Sequence, residues 1–288
     1  MKRTYKYLII FLSYIVFLLV TFFIKGSGYS DWIFLTTTFV VFIFAIFLAF
    51  SISNRRERLL SLRESLRESD GVIIALYKYS EVFNEPYSKK LLNLIDEYLI
   101  LQIDYSLSDF KETQGACMNI YEFIATTDTK SDKEEDAKMA MMDDLENMLK
   151  LRKKIEFSLT DEMQPYEWVT IAALALLTIL SLVYINDGSL VSLVILPVLE
   201  TVIVVIFITI FDLDSLRWQE RNWIWDPLSS LFIALDLDPY FPDVLITKNR
   251  VSKSFLNKFD IYRLGHYKSP YPIFSDKTIE IINRNQLT

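Results

Sequence analysis

One cysteine, Cys117, and one histidine, His266, occur among the 288 residues. A single cysteine excludes an intrachain disulfide and a cysteine-built zinc site, and a single histidine excludes any catalytic or metal motif that needs two. Glycine is scarce. Of six glycines, only Gly26 and Gly28 lie close together, in a short loop, so the chain has no glycine-rich loop to cradle a phosphate. Excess positive charge is missing as well. The formal net charge of −7 argues against general nucleic-acid binding. Standard enzyme signatures are absent, so the chain reads as a non-enzyme with no nucleic-acid partner.

What the chain has in abundance is apolar surface, at 52% of residues, and it is concentrated in four blocks. These are Leu8–Ile24, Ile33–Ile52, Trp168–Ile185 and Leu190–Phe211. About 20 apolar residues cross the hydrocarbon layer as a helix, and helix is the only open-chain way to satisfy the backbone there. Lys2, Arg3 and Lys6 precede the first block, which is too long for a signal-peptide core and lacks a small-residue cleavage site. It reads as a retained first span. The fourth block is interrupted by Pro197 and Glu200.

The second block passes without proline or glycine into a polar helical pattern carrying Leu59, Leu62 and Leu66. One helix is therefore expected to leave the membrane and continue into water. Residues 53–167 form a polar helical domain. Asn84-Glu-Pro86 marks a helix start, followed by an apolar face at Leu91, Leu92, Ile95, Tyr98, Leu99 and Ile103. Gln114–Thr126 forms a shorter helix, and 127–136 a solvated linker. Met141, Leu145, Met148, Arg152, Ile155 and Leu159 then make a packed helix seam. The division expected is 1–52 and 168–211 in the membrane, 53–167 as the helical domain, and 212–288 as a C-terminal segment ending in a basic tail.

Lysine and arginine crowd the N-terminus, Arg55–Arg67 and Lys150–Lys154, while the short opposite loops hold only Lys25. The positive-inside rule then puts both termini and the helical domain in the cytoplasm of a multi-pass plasma-membrane or bacterial inner-membrane protein. All five tryptophans (Trp32, Trp168, Trp218, Trp223 and Trp225) fall at or just beyond expected span ends, where an amphipathic ring is most stable. Pro227–Leu235 is apolar but too short to cross, and should lie at the membrane face or pack on the helical domain. The basic tail from Lys248 has a complementary acidic surface on the cytoplasmic helices, and should dock on the helical body of its own or a neighbouring subunit; binding to anionic lipid headgroups and a disordered tail are the competing readings.

This layout is an all-α membrane protein: two spans, a long cytoplasmic helical insert, two spans and a cytoplasmic C-terminal segment. It resembles the bestrophin and bestrophin-like family. Local matches are Ala45-Ile-Phe-Leu-Ala-Phe50, Phe211-Asp-Leu-Asp-Ser-Leu216, and Leu235–Phe241 with its Asp-Pro-Tyr-Phe. The resemblance implies a homopentameric ion channel in a lipid bilayer, with anions such as chloride favoured and the second span around the pore. The family's apolar neck, carried over, falls on Phe42, Ile46 and Phe50, with Thr38 above and Asn54 below. Their spacing of four puts them on one helix face. A non-conducting, membrane-anchored scaffold or sensor whose cytoplasmic helices bind a partner is the alternative.

Three further features carry candidate chemistry. Glu200, mid-span, costs about 2.5–3.5 kcal/mol to insert and should face protein or water. There it can bind a cation or proton or influence pore selectivity, or sit protonated or hydrogen-bonded between helices. Asp236, Asp238 and Asp243 offer oxygen ligands that suit calcium, and the family's acidic segment in this place forms a calcium clasp. Turn formation and helix capping are their competing roles. Arg55, Arg56, Arg58, Arg63 and Arg67 anchor orientation and pair with Glu57, Glu64 and Glu68 at helical spacing, or draw anions to a vestibule.

Overall fold

The computed structural model describes residues 3–28, 30–105, 107, 109–216, 224–248, 250–269, 274 and 276–283. The chain divides into two compact units, Met1–Leu60 with Asp161–Trp218, and Ser61–Thr160 with Gln219–Thr288. The expected membrane blocks fall in the first and most of the polar helical region in the second. Helices dominate, and four of those described are long and apolar enough to cross a membrane.

The first unit contains α1 (Arg3–Phe23), the start of α2 (Asp31–Ser80), α6 (Pro165–Ile185) and α7 (Leu190–Ser215). Helix α2 runs unbroken for 50 residues, about 75 Å at 1.5 Å per residue, because no proline interrupts it and its one glycine is Gly71. α1 packs along α7, and α6 also packs on α7. Phe44, Leu48, Ile171, Ala175, Ile203 and Ile210 form the unit's buried centre. A capping box at Gln164 and Glu167, with Pro165 in the first turn, starts α6.

Away from that centre, polar groups join the loops. Buried Asn186 donates from Nδ2 to the carbonyls of Thr21 (2.8 Å) and Ile24 (2.7 Å), and its own carbonyl accepts from the Gly26 amide at 2.9 Å. Gly26 is required there, since a Cβ would lie 2.1 Å from the Tyr184 carbonyl oxygen.

In the second unit, α3 (Glu85–Tyr105), a 3₁₀ turn (Phe110–Thr113), α4 (Gln114–Ala125) and α5 (Asp132–Thr160) pack together with the rest of α2. The Asn84 side chain caps α3 by accepting from the Tyr87 amide at 3.0 Å. The linker is shorter than expected. α5 already begins at Asp132, with Asp132, Glu134 and Glu135 in its first turn, where carboxylates complement the helix dipole. The seam on α5 is buried from Met141 through Ile155. Arg152 within it donates to the Tyr98 hydroxyl (2.7 Å) and to Thr113 Oγ1 (2.9 Å), and its guanidinium lies over the Phe110 ring.

Two expectations change here. Trp225 is not an interface residue. It is 1% exposed, in the core of the second unit beside Leu228, Leu231 and Phe232 of α8 (Asp226–Ala234). The short apolar stretch therefore packs on the helical domain, and a full core outcompetes the interface for this indole. Trp218 and Trp223 lie outside the described residues. Nor is the chain all-α, because the C-terminal segment builds a three-stranded sheet. β1 (Tyr240–Pro242) pairs parallel with β2 (Ile261–His266), which pairs antiparallel with β3 (Thr278–Asn283). Short helices α9 (Asp243–Thr247) and α10 (Lys253–Leu256) lie between β1 and β2. β3 is rich in Ile and Thr, whose branched side chains suit a pleated strand. Gly265 admits the Tyr240 phenol, which a Cβ would meet at 2.1 Å.

The basic tail docks on the helical body of its own chain. Arg263 forms a bidentate pair with Asp96 at 2.6 and 2.7 Å, the strongest geometry available to a guanidinium. Buried Asp104 accepts from Lys277 at 2.9 Å, from Tyr240 at 2.9 Å, and from Tyr267. Burial, together with the Asp104 charge, pushes both phenols up and keeps them neutral donors.

Arg152→Ala should destabilise the protein by about 3 kcal/mol, because it removes the donor to the buried Tyr98 and Thr113 hydroxyls and opens a cavity. The denaturant midpoint of the full-length protein measures this, and an unchanged midpoint would contradict the buried role. A second expectation concerns pH. His266 sits between Glu280 (3.0 Å) and Asp243 (3.2 Å), and hydrogen bonding to Glu280 and then Asp243, against slight desolvation, raises its pKa. The stabilisation is present in full below about pH 6.5, the unfolded value. It is lost as pH rises through the higher folded value. Amide exchange of β2 and β3, corrected for its intrinsic pH dependence, should therefore be faster at alkaline pH, and His266→Gln should abolish that difference.

Candidate functional site

Helix α2 carries the residues of greatest functional interest, and its packing decides which way they point. Within the first unit its buried positions are Thr37, Phe44, Leu48, Arg55, Arg58 and Leu59. At about 100° per residue, Phe44, Leu48 and Arg55 all fall within about 20° of Thr37. Ile46 lies about 180° away, with Phe42 and Phe50 about 40° to either side of it. The apolar triad therefore looks directly away from the packed face. Phe42 and Phe50 are 62% and 67% exposed in the single chain.

Thr38 and Asn54 are also exposed, but they sit at the margins of this face. Each step of four residues advances about 40° beyond a full turn, so these two end up about 80° on opposite sides of Ile46. The residues that continue the stripe beyond Phe50 are Ser53 and Glu57, each within about 20° of its centre. Both are exposed. A strict spacing of four reaches neither residue, because it departs from the true helical repeat.

The packed face ends in an ion-pair cluster that sets the rotation of α2. Arg55 and Arg58 are 8% and 6% exposed. Asp214 Oδ1 lies 3.4 Å from Arg55 Nη1 and 3.2 Å from Arg58 Nη1, and it accepts from the Met163 amide at 3.0 Å. Arg58 also donates to the Asp214 carbonyl at 3.0 Å, and Arg55 to the Asp161 carbonyl at 2.6 Å. Two residues earlier on α7, Asp212 pairs with Lys6 of α1. The last turn of α7 is thus joined to α1, to α2 and to the segment that leads into α6.

Asp161, Asp212 and Asp214 escaped the sequence reading as partners because their contacts are remote in the chain. One signal was available. Arg55 keeps helical register with Phe44 and Leu48, so it belongs to the packed stripe. Among the remaining arginines, Arg67 lies 3.7 Å from Asp70 and Arg56 and Arg63 are exposed. Glu57, Glu64 and Glu68 stand at helical spacing from the arginines, but all three are exposed, and the buried arginines take aspartates instead.

Glu200 is fully buried, on the same side of α7 as Leu196, Pro197, Thr201 and Ile203. Its carboxyl oxygens have no hydrogen-bond partner among the described residues. Its side chain is therefore enclosed within its own unit, without the helix-bridging hydrogen bond. Pro197, which has no amide hydrogen, gives its carbonyl to Thr201 Oγ1 at 2.6 Å.

The three C-terminal acids take separate roles. Asp236 adopts a left-handed φ of 57° just past α8. The Asp238 carbonyl accepts from Arg263 Nε at 2.8 Å, and Asp243 faces His266. No group of three or more His, Cys, Asp or Glu side chains among the described residues is placed to hold a metal ion.

Asp214→Ala should cost about 3–5 kcal/mol, the usual penalty for leaving buried cations short of their partner. Asp214→Asn, which keeps an acceptor for the Met163 amide, should cost less. Thermal unfolding of the detergent-solubilised protein orders the two variants, and equal stability of both with the wild type would remove the cluster from its structural role.

A family model for the Bestrophin-like domain covers residues 15–215, from within α1 to the end of α7, well over half of the chain. No curated protein and no solved structure matches.

Proposed function

Since the chain belongs to the bestrophin-like family, we propose that it is an oligomeric ion channel whose pathway is lined by α2. Membership, with the long apolar helices, makes it a membrane protein of a channel family. The single observation that supports a pathway along α2 is the direction of its apolar stripe. Phe42, Ile46 and Phe50 face away from the packed centre of their own unit and are exposed among the described residues.

In a pentamer, the arrangement the family resemblance implies, five such stripes meet on the axis and form rings one turn apart. Rings of Phe and Ile gate by dewetting and need no charged filter. The lysines and arginines that flank the spans favour a cytoplasmic location for both termini and the helical domain, and the plasma membrane or a bacterial inner membrane is the corresponding site. Glu200, buried beside Pro197 on α7, serves helix packing in this reading. The resemblance favours anions as the permeant species.

Replacing Phe42, Ile46 and Phe50 with alanine should enlarge single-channel conductance in reconstituted bilayers. Particle size in detergent should correspond to an oligomer. A monomeric particle, or wild type and triple variant that are both silent, would leave the membrane-anchored scaffold as the better account.

A further inference from the structure

The basic stretch Arg55–Arg67 suggests a mouth that attracts anions, but the packing of α2 withdraws the charges that would do so. Arg55 and Arg58 are buried and face Asp214 and Asp161, so their charge is compensated inside the unit. Around the helix they lie about 180° and 120° from the centre of the Phe42–Ile46–Phe50 stripe. Arg56 lies about 80° off that centre, on the flank.

Glu57 is placed differently from all three. It is exposed, about 20° from the stripe centre. It stands seven residues beyond Phe50, about 10.5 Å along the axis. Among the described residues its carboxylate makes no hydrogen bond or ion pair, unlike those of Asp161, Asp212 and Asp214. Ser53, the other residue on the stripe between Phe50 and Glu57, is neutral. An ion that leaves the apolar constriction along this face therefore meets the Glu57 carboxylate as its first formal charge.

We infer that Glu57 is the specificity-determining residue of the pathway and that the pathway prefers monovalent cations over anions. The inference rests on the α2-lined channel proposed above and goes on to name the class of ion it carries. Symmetry repeats the residue once per subunit, so the mouth bears a ring of carboxylates. A ring of one sign beside low-dielectric walls concentrates its counter-ion, and Asp or Glu rings are the usual device of cation pathways. The apolar rings above set the conductance, and the carboxylate ring sets the sign of the charge that passes.

The test uses the full-length protein in planar bilayers under a potassium chloride gradient. Its reversal potential gives the ratio of potassium to chloride permeability. The wild-type ratio should exceed one. Glu57→Gln should lower it by about tenfold, the lower end of what a cleft of one sign does to local ion concentration. Glu57→Arg should bring it below one, and Arg56→Gln should leave it near the wild-type value. Chloride-selective wild-type currents, or a ratio unchanged in both Glu57 variants, overturn the inference while the channel stands. A silent wild type instead overturns the channel reading itself, and each variant's elution volume in detergent verifies that it remains assembled.

Discussion

Two buried guanidinium groups sharing one carboxylate fix the geometry of the apolar unit. Arg55 and Arg58 converge on Asp214, and an unpaired buried charge costs several kcal/mol, a large share of the roughly 5–15 kcal/mol that a folded domain has in total. No other rotation of α2 brings both arginines to that partner. Because helical phase is rigid over a few turns, the choice made at Arg55 and Arg58 dictates what happens at Ile46. With the arginines held inward, Phe42, Ile46 and Phe50 are turned outward. The outward face and the inward ion pairs are one constraint seen from opposite sides of a helix.

The polar unit follows the same logic with different partners. Arg152 sits at 2% exposure within an apolar seam, and it is tolerable there because Tyr98, Thr113 and the Phe110 ring receive it. Asp104 on α3 gathers Lys277 and the phenols of Tyr240 and Tyr267, so three points of the C-terminal segment are tied to one carboxylate. Apolar packing supplies most of the driving force in such a unit, while these groups specify which arrangement is adopted. Each is satisfied by residues distant in the chain.

That distance explains which parts of the molecule were legible in the sequence. The long apolar runs, the passage of α2 into a polar helix, the helix start at Asn84-Glu-Pro86 and the α5 seam all follow from local sequence, and the structure has each of them. The tail's affinity for the helical body was readable as complementary charge. The β-sheet was not, because Ile261–His266 carries no clean alternation and its pairing with Tyr240–Pro242 is non-local. Trp225 was misplaced because a tryptophan near an apolar run satisfies an interface and a core equally well. At the candidate site the stripe itself was evident, but its true continuation through Ser53 and Glu57 requires the helical repeat of 3.6. The inward facing of Arg55 and Arg58 requires Asp214, more than 150 residues away.

The fastenings on α1 carry a mechanical consequence. Near one end Lys6 meets Asp212 of α7. Near the other, Asn186, just before α7, holds the carbonyls of Thr21 and Ile24. Between these points α1 lies along α7. The two helices are therefore pinned as a single beam of fixed hydrophobic length, unable to slide past each other. A bilayer whose hydrocarbon thickness departs from that length cannot be matched by adjusting one helix alone. The beam must tilt as a whole or the lipid around it must deform.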